Sequence, residues 1–153
     1  MAFELTSSAF KEGERIPDRH TCEGDDLSPP LHWGVPPAAT KGFVVIADDP
    51  DAPGGTWVHW VIYNLPLDLR GLPEGIPAQD HWLEGALQGL TDFKRTGYGG
   101  PCPPPGKPHR YYFKLYALDA VLNLKPRATK SQVLEACKGH VLAEAQLMGR
   151  FGR

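Results

Sequence analysis

The strongest constraint in this sequence is the placement of its 17 glycines and 16 prolines, which are scattered between apolar runs rather than gathered into one tract. A proline fixes φ and removes an amide donor, and a glycine admits turn conformations closed to other residues. Dispersed this way, they cut the chain into short segments joined by turns, the pattern of a strand-rich fold. At 153 residues the chain suits one domain, residues 1–153, long enough to bury a core. Its 41% hydrophobic and 22% charged content is that of an ordinary globular protein.

Several function classes fall away on charge and composition. A net charge of −2 offers no electrostatic footprint for nucleic acid. The basic clusters Lys94-Arg95 and Lys125-Pro-Arg127 read as solvated loops. No apolar run is long enough to span a bilayer, so no transmembrane segment is expected. The start, Met1-Ala-Phe-Glu-Leu-Thr-Ser7, lacks the basic and apolar regions of a signal peptide. Cys22, Cys102 and Cys137 are an odd number at long spacings, which indicates neither a disulfide framework nor a CxxC site. A reducing cytoplasm is the expected address.

Strand signals dominate the first two thirds. Phe3 to Phe10 is a candidate opening strand, followed by a turn-rich stretch to Pro30. Gly42-Phe-Val-Val-Ile-Ala47 is a continuous apolar run, as in a strand covered on both faces. It leads into Asp48-Asp49-Pro50-Asp51-Ala52-Pro53-Gly54-Gly55, a loop carrying three carboxylates. Thr56 to Asn64 and His109 to Leu118 read as further strands. Residues 65 to 108 are mostly loop signals, with a short turn around Asp80 to Leu87.

Towards the C-terminus the signals become helical. Thr129-Lys-Ser-Gln132 has capping-box form, predicting a helix over about Lys130 to Lys138 with Gly139 beyond its end. A second helix is expected over His140 to Met148. Strands first and helices last predict a mainly β protein, a sandwich with C-terminal helices.

Strand alternation puts Trp57 and His59 on one face, and His109 and Tyr111 on one face of another strand. Both histidines follow Pro/Gly-rich loops. With the nearby carboxylates they could share one polar pocket with aromatic walls. Spacing alone equally allows two separate histidines bonded to backbone, with the aspartates capping turns.

The string Asp49-Pro50-Asp51-Ala52-Pro53, then Trp57-x-His59, then Gly100-Pro101-x-Pro103 leading to His109-Arg110-Tyr111, resembles the signature of the phosphatidylethanolamine-binding protein family, which includes the Raf kinase inhibitor proteins. The short interval from Pro53 to Trp57 and the Tyr98-Gly-Gly-Pro-Cys-Pro-Pro-Pro105 loop are similar to its compact bacterial branch. The likeness runs from Ser28-Pro-Pro-Leu31 to Gly139-His-Val-Leu-Ala-Glu144. It implies a two-sheet antiparallel Greek-key β-sandwich with an anion pocket for phosphate-like head groups. Carried over by motif, the ligand-binding residues would be Asp49, Asp51, Pro53, Trp57, His59, Pro103, His109 and Tyr111. Arg110 falls on the opposite strand face from His109 and is expected to hold the loop carboxylates. His32 stands where a small polar residue would be expected, with no role assigned.

The resemblance implies no cofactor and no resident metal, and binding rather than turnover. Implied partners are a small phosphate-like anion or phospholipid head group, a kinase or protease that the chain regulates, and a second copy in a homodimer. The alternative is a hydrolase or metal-binding enzyme, with His59, His109 and Asp49 as general base, general acid and orienting carboxylate, or as zinc ligands. No nucleophile elbow or HExxH motif supports it. Gly100-Pro-Cys-Pro-Pro-Pro-Gly106-Lys107 fails as a phosphate loop, since its prolines lack the amide donors such a cradle needs. Cys102 is expected as a small wall residue of the pocket-side loop.

Overall fold

The computed structural model describes residues 3–153. After two short strands, Leu5–Thr6 (β1) and Leu31–Trp33 (β2), the chain enters Gly42–Asp49 (β3), whose eight residues are all buried. β3 is central because strands flank it on both sides: Trp57–Pro66 (β4) and His109–Leu118 (β8), both antiparallel. Gly71–Leu72 (β5), His81–Trp82 (β6), Ala86–Gln88 (β7) and Val141–Phe151 (β9) complete the strands. They form a six-stranded sheet, β6-β7-β4-β3-β8-β9, and a three-stranded sheet, β1-β2-β5. The protein is mainly β, with two antiparallel sheets and one short helix, Lys130–Cys137 (α1).

Alternation along β3 sorts its side chains between two cores. Phe43, Val45 and Ala47 join Trp60, Ile62, Phe113 and Leu115 in the core shared with Leu31, Trp33 and Leu72 of the smaller sheet. Val44 and Ile46 pack on the other face with Val61, Tyr63, Val133 and Cys137, beneath α1. Burying large apolar side chains contributes about 1.5–3 kcal/mol each, so both faces stabilise β3. The capping box predicted at α1 is present: Thr129 accepts from the Gln132 amide, and the Gln132 side chain accepts from the Thr129 amide. Lys130 Nζ donates to Asp48 Oδ2 at 2.6 Å and ties α1 to the end of β3.

Three expectations need correction. The segment 140–148 is not a second helix; His140 lies in the turn after α1, and from Val141 the chain is β9, paired with β8 from His109↔Phe151 to Leu118↔Val141. Its run Ala143-Glu-Ala-Gln-Leu-Met148 is rich in helix formers, but β8 needs a partner along its outer edge and the backbone ladder prevails. His140 turns back to the end of β8, with its Nδ1 2.8 Å from Asp119 Oδ1. Residues 65 to 108, read as mostly loop, include β5 and the β6–β7 hairpin. The cysteines also pair: Cys22 and Cys102, 80 residues apart, form a disulfide with Cα atoms 5.4 Å apart, while Cys137 is free and buried. The premise of three unpaired thiols, and with it the argument for a reducing address, does not hold. Among the described residues no helix is long and apolar enough to cross a membrane.

Candidate functional site

A β-bulge builds one wall of the site. In the β3–β4 pairing Ala47 faces Trp60 while Asp48 faces Val58, so His59 is the extra residue that the ladder skips. Strict alternation from Val61 and Tyr63 would send His59 towards α1. The bulge turns it to the same side as Trp60, where it lines a cavity with Trp57. Its backbone, excluded from β3, is taken up by Gly99: the Gly99 amide donates to the His59 carbonyl at 2.9 Å. The His59 ring returns the contact, with Nδ1 2.6 Å from the Gly99 carbonyl.

The Gly99-Gly100 backbone can approach so closely because neither residue carries a side chain. A Cβ on Gly100 would collide with the His20 carbonyl, and one on Gly99 with the Phe93 ring. Asp26 Oδ1 accepts from the Gly100 amide at 2.8 Å, and Arg153 Nε donates to the Pro103 carbonyl at 2.7 Å. Together with the disulfide, these bonds fix the loop that forms the second wall.

β8 supplies the floor. His109 and Tyr111 share a strand face with Phe113, as alternation predicts. The Tyr111 ring lies between the imidazoles, edge-on to His59 at 5.2 Å and stacked on His109 at 6.4 Å. Asp49, at the end of β3, is buried and fully engaged: Oδ1 accepts from the Asp51 amide at 2.8 Å, and Oδ2 lies 2.6 Å from His109 Nδ1. That carboxylate holds a proton on Nδ1 of His109, just as the Gly99 carbonyl does for His59. In both rings Nε2 is the nitrogen left for a solute.

The cavity has a volume of about 280 Å³. Of the expected ligand residues, Asp49, Pro53, Trp57, His59, Pro103, His109 and Tyr111 line it, joined by Phe93 and by Cys102, the latter as half of the disulfide rather than as a small apolar residue. Asp51 does not line it. Arg110 grips that carboxylate with two parallel bonds, Nη2 to Oδ1 at 2.8 Å and Nε to Oδ2 at 2.9 Å, and adds its backbone amide. Asp51 thus braces the loop, held down to a pKa of about 2 chiefly by the Arg110 guanidinium. His32 lies in β2 between Thr6 and Gly71, away from the cavity. Phe93 escaped the sequence reading because a lone aromatic in a turn has no periodic partner, and the Gly99 carbonyl carries no side-chain signal.

Burial lowers the pKa of His59 from 6.5 and keeps its ring neutral, while burial and then the Asp49 charge keep the Tyr111 phenol protonated. Neutral His59 with its proton on Nδ1 therefore presents Nε2 to the cavity as an acceptor. His20 is also shifted down by burial; its Nδ1 meets the Leu27 carbonyl at 2.9 Å, and its buried Nε2 has no hydrogen-bond partner. For both rings the folded pKa lies below the unfolded one, so the unfolded chain binds protons first as pH falls. Stability from these two groups is present above about pH 6.5 and is lost on acidification through their lowered values. The Asp51 contribution persists until pH falls towards 2, outside that window. The melting temperature is expected to fall between pH 7.5 and 5, less steeply in His20→Asn, which keeps a donor for Leu27. Thermal scans of both proteins across that range check it; parallel slopes would remove His20 from the account.

Comparison with known proteins agrees with this architecture. The model of the family described as phosphatidylethanolamine-binding protein matches residues 6–152. A UPF0098 protein of Methanothermobacter thermautotrophicus is 51% identical over 149 residues, covering 97% of this chain and 98% of its own. One from Aquifex aeolicus is 47% identical, covering 98% of this chain and 88% of its own. The crystal structure of Escherichia coli YbcL, described as a new member of the mammalian family, superposes with a TM-score of 0.92 at 36% identity, covering 100% of this chain and 99% of that one.

Proposed function

The chain belongs to the phosphatidylethanolamine-binding protein family, and from that premise we propose that its cavity binds the phosphate-like head group of a small ligand. The observation that carries this reading is the convergence of two imidazoles, each with Nδ1 already engaged, on one cavity beside a protonated phenol. Tyr111 offers its O–H to an anionic oxygen. Neutral His59 suits the one oxygen of a phosphate monoanion that carries a proton.

The buried carboxylate fits this arrangement despite its charge. Both Asp49 oxygens already accept hydrogen bonds, so its negative charge is spent on orienting His109 and the Pro-rich bend. The volume of about 280 Å³ lies at the lower edge of ordinary ligand pockets. It accommodates a head group and leaves an acyl chain outside.

Hydrogen bonds to charged groups contribute roughly 1.5–3 kcal/mol each. Two or three of them, less the cost of immobilisation, leave about −4 kcal/mol, or roughly millimolar affinity. Titration with inorganic phosphate, followed by the ring signals of His59 and His109, is expected to give a constant of that order. His59→Asn and His109→Asn keep a donor where Nδ1 stood and remove Nε2; each is expected to weaken binding about fivefold. Ring signals that do not respond to phosphate would overturn the reading. Among the described residues no group of three or more His, Cys, Asp or Glu side chains is placed to hold a metal ion, so no observation favours the metalloenzyme alternative.

A further inference from the structure

On the far side of His109 lies a second, larger cleft of about 420 Å³, lined by Asp51, Lys107, Pro108, His109, Arg110 and Arg150. His109 is the wall common to both cavities. The charge balance of the second cleft is uneven. Arg110 is neutralised by its paired bonds to Asp51, whereas among the described residues neither Lys107 nor Arg150 has a carboxylate within ion-pair distance. The carboxylates of the adjoining segments are engaged elsewhere: Glu12 accepts the Met148 amide, Glu14 the Lys11 amide, Asp18 holds Arg15, and Glu23 meets Arg153.

The register makes this surplus deliberate in physical terms. Arg110 and Arg150 are direct cross-strand partners of β8 and β9, and Asp51 meets the charge of the first but not of the second. The Arg150 backbone is pinned on its other side as well, donating to the Glu14 carbonyl at 2.9 Å and accepting from the Ile16 amide at 2.8 Å. Arg150 is thus fixed by backbone bonds on both sides, and among the described residues no carboxylate pairs with it.

We propose that the two cavities form one two-anion site, in which a ligand places its first phosphate-type group against His59 and His109 and a second on Lys107 and Arg150. The site selects molecules carrying two such groups on a short linker, with His109 seated between them. This rests on the head-group reading above.

A series of α,ω-bisphosphonates with linkers of one to six carbons serves as a ruler, with methylphosphonate as the single-anion reference at fixed ionic strength. At least one linker length is expected to bind tenfold or more tightly than methylphosphonate, beyond the twofold statistical advantage of two equivalent ends. Lys107→Ala and Arg150→Ala are expected to return that ligand to within about threefold of methylphosphonate, leaving methylphosphonate itself within twofold. Arg150→Ala is expected to leave the melting temperature within a few degrees, since this exposed side chain has no ion-pair partner among the described residues. A bisphosphonate series no better than methylphosphonate, or a gain that survives both substitutions, overturns the two-anion site and leaves the head-group pocket standing. Failure of methylphosphonate itself to bind overturns both together.

Discussion

Reduction of the Cys22–Cys102 disulfide is expected to cost about 4.5 kcal/mol of folding stability, from the loss of a cross-link that closes an 80-residue loop in the unfolded chain. For a domain of this size that corresponds to about 9–18 °C in melting temperature. The bond joins two segments that would otherwise meet through a few hydrogen bonds, among them Cys22 N–H to the Pro101 carbonyl at 3.1 Å and Tyr98 Oη–H to the His20 carbonyl at 2.7 Å. Both bridging cysteines are exposed at the surface, so a dithiol reductant reaches them without unfolding, whereas Cys137 is buried against α1. Calorimetry of the oxidised protein, the reduced and alkylated protein, and Cys22→Ser/Cys102→Ser should show the last two melting together, well below the first. Equal melting temperatures for all three would show that the cross-link adds nothing. The pocket should feel the change as well, because Cys102 lines it and its neighbours Gly99 and Pro103 position His59 and the second wall.

The same bond marks where the sequence ceased to be legible. Wide spacing and an odd count are what unpaired thiols and one long-range bridge have in common, and only the approach of the 18–27 segment to the 98–105 loop separates them. β8 was legible because its alternation is uninterrupted from His109 to Ala117, and α1 because a capping box is a local motif with a local mechanism. β9 was not, since its residues favour a helix and only the vacant edge of β8 makes them a strand. The pocket residues came from motif likeness more than from periodicity. Alternation does place Trp57 and His59 together, yet it holds only because the bulge at His59 reverses the sense of the strand relative to Val61 and Tyr63. Asp51 shows the opposite case: its motif position is adjacent to Asp49, but the Arg110 fork on the outer face of β8 captures it. The expectation that Arg110 serves the loop and the expectation that Asp51 meets ligand compete for one carboxylate, and the stronger geometry takes it.

The monoanion of methyl phosphate is expected to bind about 30-fold more tightly than methyl sulfate, a gap of roughly threefold in total-ester affinity at pH 7, where about a tenth of the ester is monoanionic; the two ions carry the same single charge and nearly the same shape. The difference follows from the proton on His59. Burial holds that ring neutral, and the Gly99 carbonyl at 2.6 Å fixes the proton on Nδ1, leaving an Nε2 lone pair that needs a donor. A phosphate monoester has a second pKa of about 6, so its monoanion is available near neutrality and carries a P–O–H to offer. Methyl sulfate has no proton and would set an oxygen lone pair against a nitrogen lone pair. An unmet buried acceptor costs about 1–3 kcal/mol, roughly five- to 150-fold, and sites built around a hydrogen bond discriminate against analogues lacking it on this ground. As pH falls below the lowered His59 value, the ring gains a proton on Nε2 and becomes a donor to either anion, so the preference is expected to shrink from the sulfate side. Titrating both esters from pH 7.5 to 5 while following the His59 ring carbons reads affinity and protonation together. Equal affinities for the two monoanions, after allowing for the fraction of methyl phosphate that is singly charged at each pH, would mean that His59 already donates, and the neutral-acceptor account of the pocket would have to give way to an imidazolium held against its own burial.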